Sequence, residues 1–145
     1  MNGSTMIKPL VLLAALVALG GCATPVRPAE RSDVDVRATP LEVVNRRMSA
    51  YNRHDLDALL ATYSDSVEVF TFPDDSLGAG KDHMRWVFEG MFEEGIVHVD
   101  VHHQLALDGY VVNHETVNYG FETVEYVSVY EVRDGLIETV TFVRD

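Results

Sequence analysis

The sequence predicts one α+β domain in which three helices precede a strongly bent antiparallel sheet. Between residues 40 and 92 the apolar side chains recur mainly at three- and four-residue spacing, as on one face of a helix. From residue 96 onward they alternate and are rich in β-branched and aromatic types, as in strands. Two Asp-Gly pairs, at 108–109 and 134–135, are strong hairpin signals that divide this second half. Helices segregated from antiparallel strands define the α+β class.

The first two helices are predicted from their start signals. Pro40 suits the first helical turn, and Thr39 before it can cap that turn. Asp55 is expected to cap a second, shorter helix, and Asp57 lies in its first turn, where the helix dipole favours a carboxylate. Both aspartates are therefore expected to be structural, and His54 in the turn before them is expected to face solvent.

The remaining elements follow in order. Residues 67–72 alternate and predict a strand, 73–80 predict a loop, and 81–92 predict a third helix that Gly95 ends. Four further strands are predicted over residues 96–107, 110–119, 121–132 and 136–143.

Composition excludes several classes of function. The formal net charge of −12 argues against nucleic acid as a partner, because phosphate binding requires clustered Lys and Arg. The single cysteine excludes an intramolecular disulfide. His98, Asp100 and His102 share one strand face, but in-line positions ~7 Å apart converge poorly on one ion. We therefore expect no metal and no cofactor.

The N-terminal sequence predicts the signal peptide of a bacterial lipoprotein. Lys8 precedes an unbroken apolar run from Leu10 to Leu19, which is typical of a secretory signal and shorter than the ~20 residues that span a bilayer. The end of the run, Leu19-Gly20-Gly21-Cys22, resembles the bacterial lipobox. That resemblance implies cleavage before Cys22 and acylation of its thiol, since several acyl chains anchor a protein stably. The alternative is an ordinary signal peptide with an incidental cysteine.

These signals divide the chain into three parts. Residues 1–21 are predicted to be a lipoprotein signal peptide, 22–39 a flexible tether with Pro and charge, and 40–145 the folded domain. The predicted location is the bacterial cell envelope, with the domain anchored by lipid on the periplasmic or outer face of the membrane.

The folded part resembles the nuclear transport factor 2-like superfamily, in its SnoaL-like and ketosteroid-isomerase-like branch. The residues that carry the resemblance are "YNRHDLDALLATYSDSVEVFTFP" (51–73), the third helix with Trp86, and the terminal "YEVRDGLIETVTFVRD" (130–145). The resemblance covers 40–145 and implies a cone-shaped sheet around a long helix, an apolar pocket between them, and often a dimer through the outer sheet face.

The same resemblance argues against steroid isomerase activity. The position of the proton-transferring carboxylate matches Thr71, that of the oxyanion-stabilising tyrosine matches Arg47, and that of the neutral carboxyl matches Ser128. A threonine hydroxyl is too weakly acidic to serve as a general base at neutral pH. None of the three positions therefore carries the side chain that the steroid isomerase reaction requires.

Strand alternation predicts what lines the pocket instead. By register with the family, the even positions of strand 110–119 face inward, so His114 would project into the cavity. The predicted ligand-binding residues are Thr71, Trp86, His114, Tyr126, Ser128 and Tyr130. This aromatic-walled pocket is typical of a site for a small apolar or aromatic molecule.

Three functions remain open from the sequence. The first is a membrane-anchored protein that binds such a molecule without chemistry. The second is an isomerase, dehydratase or cyclase with His114 as general base and Tyr126 or Tyr130 orienting the substrate. The third is a protein-interaction module that dimerises through its outer sheet face.

Overall fold

The computed structural model describes residues 38–144, so Cys22, the predicted signal segment and nearly all of the tether lie outside the described residues. The described residues belong to one compact unit of three helices and six strands. In chain order these are α1 (Pro40–Asn52), α2 (Leu56–Leu60), β1 (Tyr63–Thr71), β2 (Asp75–Ala79), α3 (Lys81–Glu93), β3 (His98–Leu107), β4 (Tyr110–Asn118), β5 (Thr123–Arg133) and β6 (Leu136–Val143).

The helix starts are confirmed at the level of individual hydrogen bonds. Thr39 caps α1 in a capping box with Glu42, which satisfies amide groups that the helix itself leaves unpaired. Asp55 caps α2 by accepting a hydrogen bond from the backbone N–H of Ala58 at 3.0 Å. Asp57 is exposed and pairs with Arg85. Neither aspartate lines the two apolar cavities described below, and the contacts of both are accounted for by the start of α2 and its pairing with α3.

His54 is not solvated as predicted. Its Nε2 lies 2.8 Å from the carbonyl oxygen of Val97, and its ring packs against Phe92. The residue adopts a positive φ of 54°, which turns the chain between α1 and α2. His54 therefore ties this turn to the segment before β3.

The strands form one curved, unclosed sheet in the order β2-β1-β6-β5-β4-β3. Two details differ from the sequence prediction. Residues 75–79, expected to be loop, form β2 and pair with β1. The β1–β6 pair is parallel, whereas the other pairs are antiparallel. No tight turn joins β1 to β6, so hairpin geometry does not impose an antiparallel direction on this pair.

A bulge in β3 decides which side chains share the outer face of the sheet. The pairing with β4 shifts between Val101 and His103, so that two residues of β3 oppose one of β4. His102 contacts Thr116 and His103 contacts His114, both on the outer face of β4. After the bulge, Leu105 also lies on this face. The simple alternation assumed for this strand therefore fails in its second half.

The core lies between the inner face of the sheet and helices α1 and α3. The most deeply buried side chains include Val43, Val44, Leu59, Tyr63, Val67, Val111, Tyr130, Ile137 and Val140. Asn52 joins α1 to β3, because its side-chain amide donates to the carbonyl of Val99 and accepts from the N–H of Val99, at 2.9 and 2.8 Å. Across residues 38–144, none of the helices combines the length and the apolar character that crossing a membrane demands.

Candidate functional site

A cavity of about 270 Å³ lies between α1, α3 and the inner face of the sheet. It is lined by Arg47, Tyr51, Thr71, Leu77, Val87, Phe88, Met91, Glu115, Val117, Tyr119, Tyr126, Phe142 and Arg144. A second cavity of about 140 Å³ shares four of these residues: Leu77, Val87, Phe88 and Phe142. The mainly apolar, aromatic lining with a few polar groups is typical of small-molecule pockets, and the volume lies just below their usual range of roughly 300–1,000 Å³.

Helices α1 and α3 each contribute several side chains to the cavity, because residues three or four positions apart lie on the same face of a helix. Arg47 and Tyr51, four residues apart on α1, lie on one face of the helix and point the same way. On α3, Val87, Phe88 and Met91 form the corresponding face. Trp86 lies outside this face and is 76% exposed, so its predicted place in the pocket wall is wrong. At ~100° per residue, Trp86 is roughly 200° from the buried Phe88 around the helix axis.

The prediction for β4 is also wrong, because its faces are reversed. The buried positions are the odd ones, Val111, Asn113, Glu115 and Val117. His114 points to the outer face, where Nε2 contacts the Glu125 carboxylate and Nδ1 lies 3.3 Å from Nδ1 of His103. His114 is therefore not a pocket residue, and the pocket-facing ionisable side chain of this strand is Glu115.

The other predicted site residues lie on the inner side. Thr71 and Tyr126 line the cavity. Ser128 and Tyr130 are fully buried and do not line it, but both contact the Glu115 carboxylate. The prediction that these β5 residues face inward is thus correct. Ser128 and Tyr130, however, lie behind the cavity wall and donate hydrogen bonds to Glu115.

Glu115 is a carboxylate held by three donors. Its Oε1 accepts hydrogen bonds from the hydroxyls of Ser128 and Tyr130, at 2.7 and 3.2 Å, and its Oε2 accepts one from the amide of Asn113 at 3.0 Å. Its residue surface is only 1% exposed. Buried carboxylates are tolerated when hydrogen bonds and an opposite charge replace their hydration, and this one has both.

The opposite charge is Arg47, which is buried on α1. Its Nε donates to the Tyr63 hydroxyl at 3.0 Å, and its guanidinium carbon lies within 5.3–6.0 Å of the ring centroids of Tyr51, Phe88 and Tyr130. Burial lowers the pKa of Arg47, but the surrounding oxygens of Tyr130, Tyr63 and Glu115 outweigh it, so the pKa lies above its usual value. The guanidinium stays charged.

Part of this polar cluster remains available to a ligand. The hydrogen bonds of Arg47 within residues 38–144 use Nε and Nη1, the latter to the sulfur of Met48, and leave Nη2 and the Tyr51 hydroxyl without a partner there. No fully buried side-chain nitrogen or oxygen in this range lacks a partner, so both groups are accessible. The cavity that both residues line supplies this access.

The tyrosines of the site are neutral donors. Burial raises the pKa of Tyr51 to about 12, and burial also raises the pKa of Tyr130 well above its usual value. For Tyr119, burial and a hydrogen bond to Tyr126, with 3.1 Å between their hydroxyl oxygens, raise the pKa as well. In the described range no three His, Cys, Asp or Glu side chains are arranged to hold a metal ion.

A curved sheet that packs against helices, with an apolar cavity between them, is the architecture of the nuclear transport factor 2-like class of fold. The family model for the SnoaL-like domain matches residues 44–140, and the chain belongs to that family. The sequence prediction of this fold is confirmed.

Solved structures show the same architecture. A cystatin-fold protein of Novosphingobium aromaticivorans superposes with a TM-score of 0.70 and 22% identity over 74% of this chain and 99% of its own. An LEH-like epoxide hydrolase of M. tuberculosis superposes with a TM-score of 0.61 and 20% identity, over 73% of this chain and 82% of its own. A protein of Kribbella flavida assigned as a ketosteroid isomerase superposes with a TM-score of 0.61 and 17% identity, over 71% of this chain and 75% of its own. A comparison with curated proteins gave no match.

Proposed function

We propose that this SnoaL-like domain binds a small, mainly apolar or aromatic organic molecule in the cavity of about 270 Å³. The observation that carries the proposal is the contrast within this cavity. Its walls are largely apolar, while one buried cation and one buried anion, Arg47 and Glu115, line it as well. Apolar walls supply affinity, and a few placed polar groups supply orientation.

The proposal is tested first by mass spectrometry of the natively purified protein. A small organic molecule that is present after purification and absent after unfolding supports binding. Failure to detect one, together with failure of the probe experiment below, contradicts it.

Filling the cavity provides a direct test. Val117 is buried and lines the cavity, whereas Val127 is exposed on the outer face of β5. We expect Val117→Trp to lower the affinity for the neutral fluorescent probe N-phenyl-1-naphthylamine at least tenfold, because the larger ring occupies the ligand volume. Val127→Trp is the matched control and should leave the affinity unchanged. Unfolding curves verify that both variants fold, since overpacking costs about 1–3 kcal/mol. Equal probe binding by the two variants would rule out this cavity.

A second candidate is an enzyme, and Glu115 is the observation that favours it. Neighbouring structures include proteins described as an epoxide hydrolase and assigned as an isomerase. In this chain, His114 faces away from the cavity, whereas the Glu115 carboxylate lines it and could accept a proton from a bound molecule. Incubating the recovered molecule with fresh protein separates the candidates, because an enzyme converts it and a binding protein returns it unchanged.

The proposed location is the cell envelope, through a lipid anchor on Cys22. The support is the sequence Leu19-Gly20-Gly21-Cys22 at the end of an apolar run. We expect a Cys22→Ser variant to lose both palmitate labelling and the membrane fraction, because the thiol that carries the acyl chains is absent. Continued palmitate labelling of the Cys22→Ser variant would refute the anchor.

We also propose a homodimer through the outer sheet face. This face carries an outer apolar patch, defined as Leu105, Leu107 and Tyr110, all exposed. Contiguous exposed apolar residues on a sheet mark interaction surfaces. Leu105→Glu should convert the dimer to a monomer in sedimentation velocity, because it places a charge in the apolar contact. A wild-type monomer at micromolar concentration would contradict the proposal.

A further inference from the structure

We propose that the ligand is an electrically neutral molecule with a hydroxyl group at its inner end, which donates to Glu115 and accepts from Arg47 or Tyr51. This inference rests on the proposed binding function and specifies its ligand class. The observation behind it is that the inner cavity wall presents a cation, an anion and a neutral phenol together.

Counting hydrogen bonds shows what the inner wall still lacks. A carboxylate has about four acceptor positions. Glu115 uses three of them, for Ser128, Tyr130 and Asn113, so that Oε2 retains capacity for one more donor. Arg47 retains the N–H groups of Nη2, as described above. The wall therefore needs a ligand group that both donates and accepts.

A hydroxyl is the simplest neutral group that meets this requirement, whereas a hydrocarbon, a carboxylate and an ammonium do not. An aliphatic or aromatic hydrocarbon leaves the Arg47 and Glu115 groups without a partner once water is displaced, which costs free energy. A carboxylate can accept from Arg47, but it cannot donate to Glu115 and is repelled by its charge. A ligand ammonium can donate to Glu115, but it cannot accept a hydrogen bond from Arg47 and is repelled by the charge of Arg47.

The charge balance of the cavity points the same way. Arg47 and Glu115 are 4% and 1% exposed and carry opposite charges, so the inner wall is neutral overall. The second cation that lines the cavity, Arg144, is exposed, so solvent screens it. A buried ligand charge would therefore add a net charge to a wall whose own two charges already balance.

Three probes of one ring system test the inference on the purified full chain. 2-Naphthol, 2-naphthoate and naphthalene compete with N-phenyl-1-naphthylamine, and their ring system is identical. We expect 2-naphthol to displace the probe at concentrations at least tenfold lower than the other two. A site built to hydrogen-bond a ligand hydroxyl discriminates strongly against analogues that lack it.

Two variants assign the selectivity to named groups. Glu115→Gln removes the anion, so the preference for 2-naphthol over 2-naphthoate should fall at least tenfold. Tyr51→Phe preserves the charge pair and removes one donor, so 2-naphthol should weaken several-fold while naphthalene is unchanged. If Glu115→Gln fails to fold, the wild-type comparison and Tyr51→Phe still decide the question.

The outcomes separate the two proposals. Binding of 2-naphthoate or naphthalene as tightly as 2-naphthol overturns the hydroxyl inference and leaves the binding function standing. Displacement by none of the three, with N-phenyl-1-naphthylamine itself bound in the cavity, also overturns the inference. If the fluorescent probe does not bind either, the proposed binding function fails.

Discussion

Replacing Glu115 by alanine should lower the free energy of unfolding by about 3 kcal/mol or more, because each buried donor that loses its acceptor costs about 1–3 kcal/mol. The variant removes the acceptor of three hydrogen bonds, from Ser128, Tyr130 and Asn113. It also leaves the buried Arg47 cation without its anionic neighbour. Urea unfolding followed by circular dichroism measures the loss.

Two control variants locate the cause of this loss. Glu115→Gln retains the size of the side chain and one acceptor oxygen, so its loss should be smaller than that of alanine. Glu125→Ala removes an exposed glutamate from the outer face of β5 and should change stability by no more than about 0.5 kcal/mol. If Glu115→Ala is as mild as Glu125→Ala, the hydrogen-bond network around Glu115 does not stabilise the fold.

Replacing Arg47 by methionine should lower the free energy of unfolding by a similar amount, about 3 kcal/mol, because a buried hydrogen bond is lost and the buried Glu115 charge stays behind. Methionine fills the space of the alkyl stem but carries no charge, so Glu115 becomes an uncompensated buried anion. The Tyr63 hydroxyl also loses the donor Nε, and three aromatic rings lose their cation. Arg46→Met, on the adjacent and exposed position of α1, is the matched control and should be nearly neutral.

The double variant Arg47→Met with Glu115→Gln measures the coupling between the two charges. Because both charges are then absent, its loss should be smaller than the sum of the single losses by about 0.5–3 kcal/mol. Strict additivity would show that the two side chains are held independently, and would remove the electrostatic part of the ligand argument.

Local signals in the sequence were sufficient for most of the elements. The cap residues Thr39 and Asp55 predicted two helix starts that the structure confirms. The Asp134-Gly135 pair predicted a hairpin in which both residues adopt positive φ. Capping and turn signals depend on residues only a few positions apart, so they can be recognised in the sequence alone. By contrast, β2 was missed because its residues 75–79 are mostly exposed and lack an apolar alternation.

The candidate site was predicted only in part, and β4 shows why. Its sequence offers two opposite faces, one with His114 and the other with Asn113 and Glu115. The sequence assignment placed His114 inward by register with the family that the chain resembles, and Glu115 was therefore expected on the outer face. The partner that allows Glu115 to be buried is Arg47, far away in sequence on α1, together with hydroxyls from β5. Only Val111 and Val117, at the ends of the same face, hinted at the correct orientation.

The sequence by itself determined the class of fold and most helix and strand positions, because these depend on capping, periodicity and turn chemistry along neighbouring residues. The family followed from the resemblance carried by residues 51–73, the third helix and residues 130–145. The tertiary structure alone decided the inward face of β4, the parallel β1–β6 pair and the bulge that brings His102 and His103 to the outer face. Each depends on a partner that is distant in the chain. The free energy of burying Glu115 is set by Arg47, Ser128, Tyr130 and Asn113 acting together, and their meeting is a property of the folded protein.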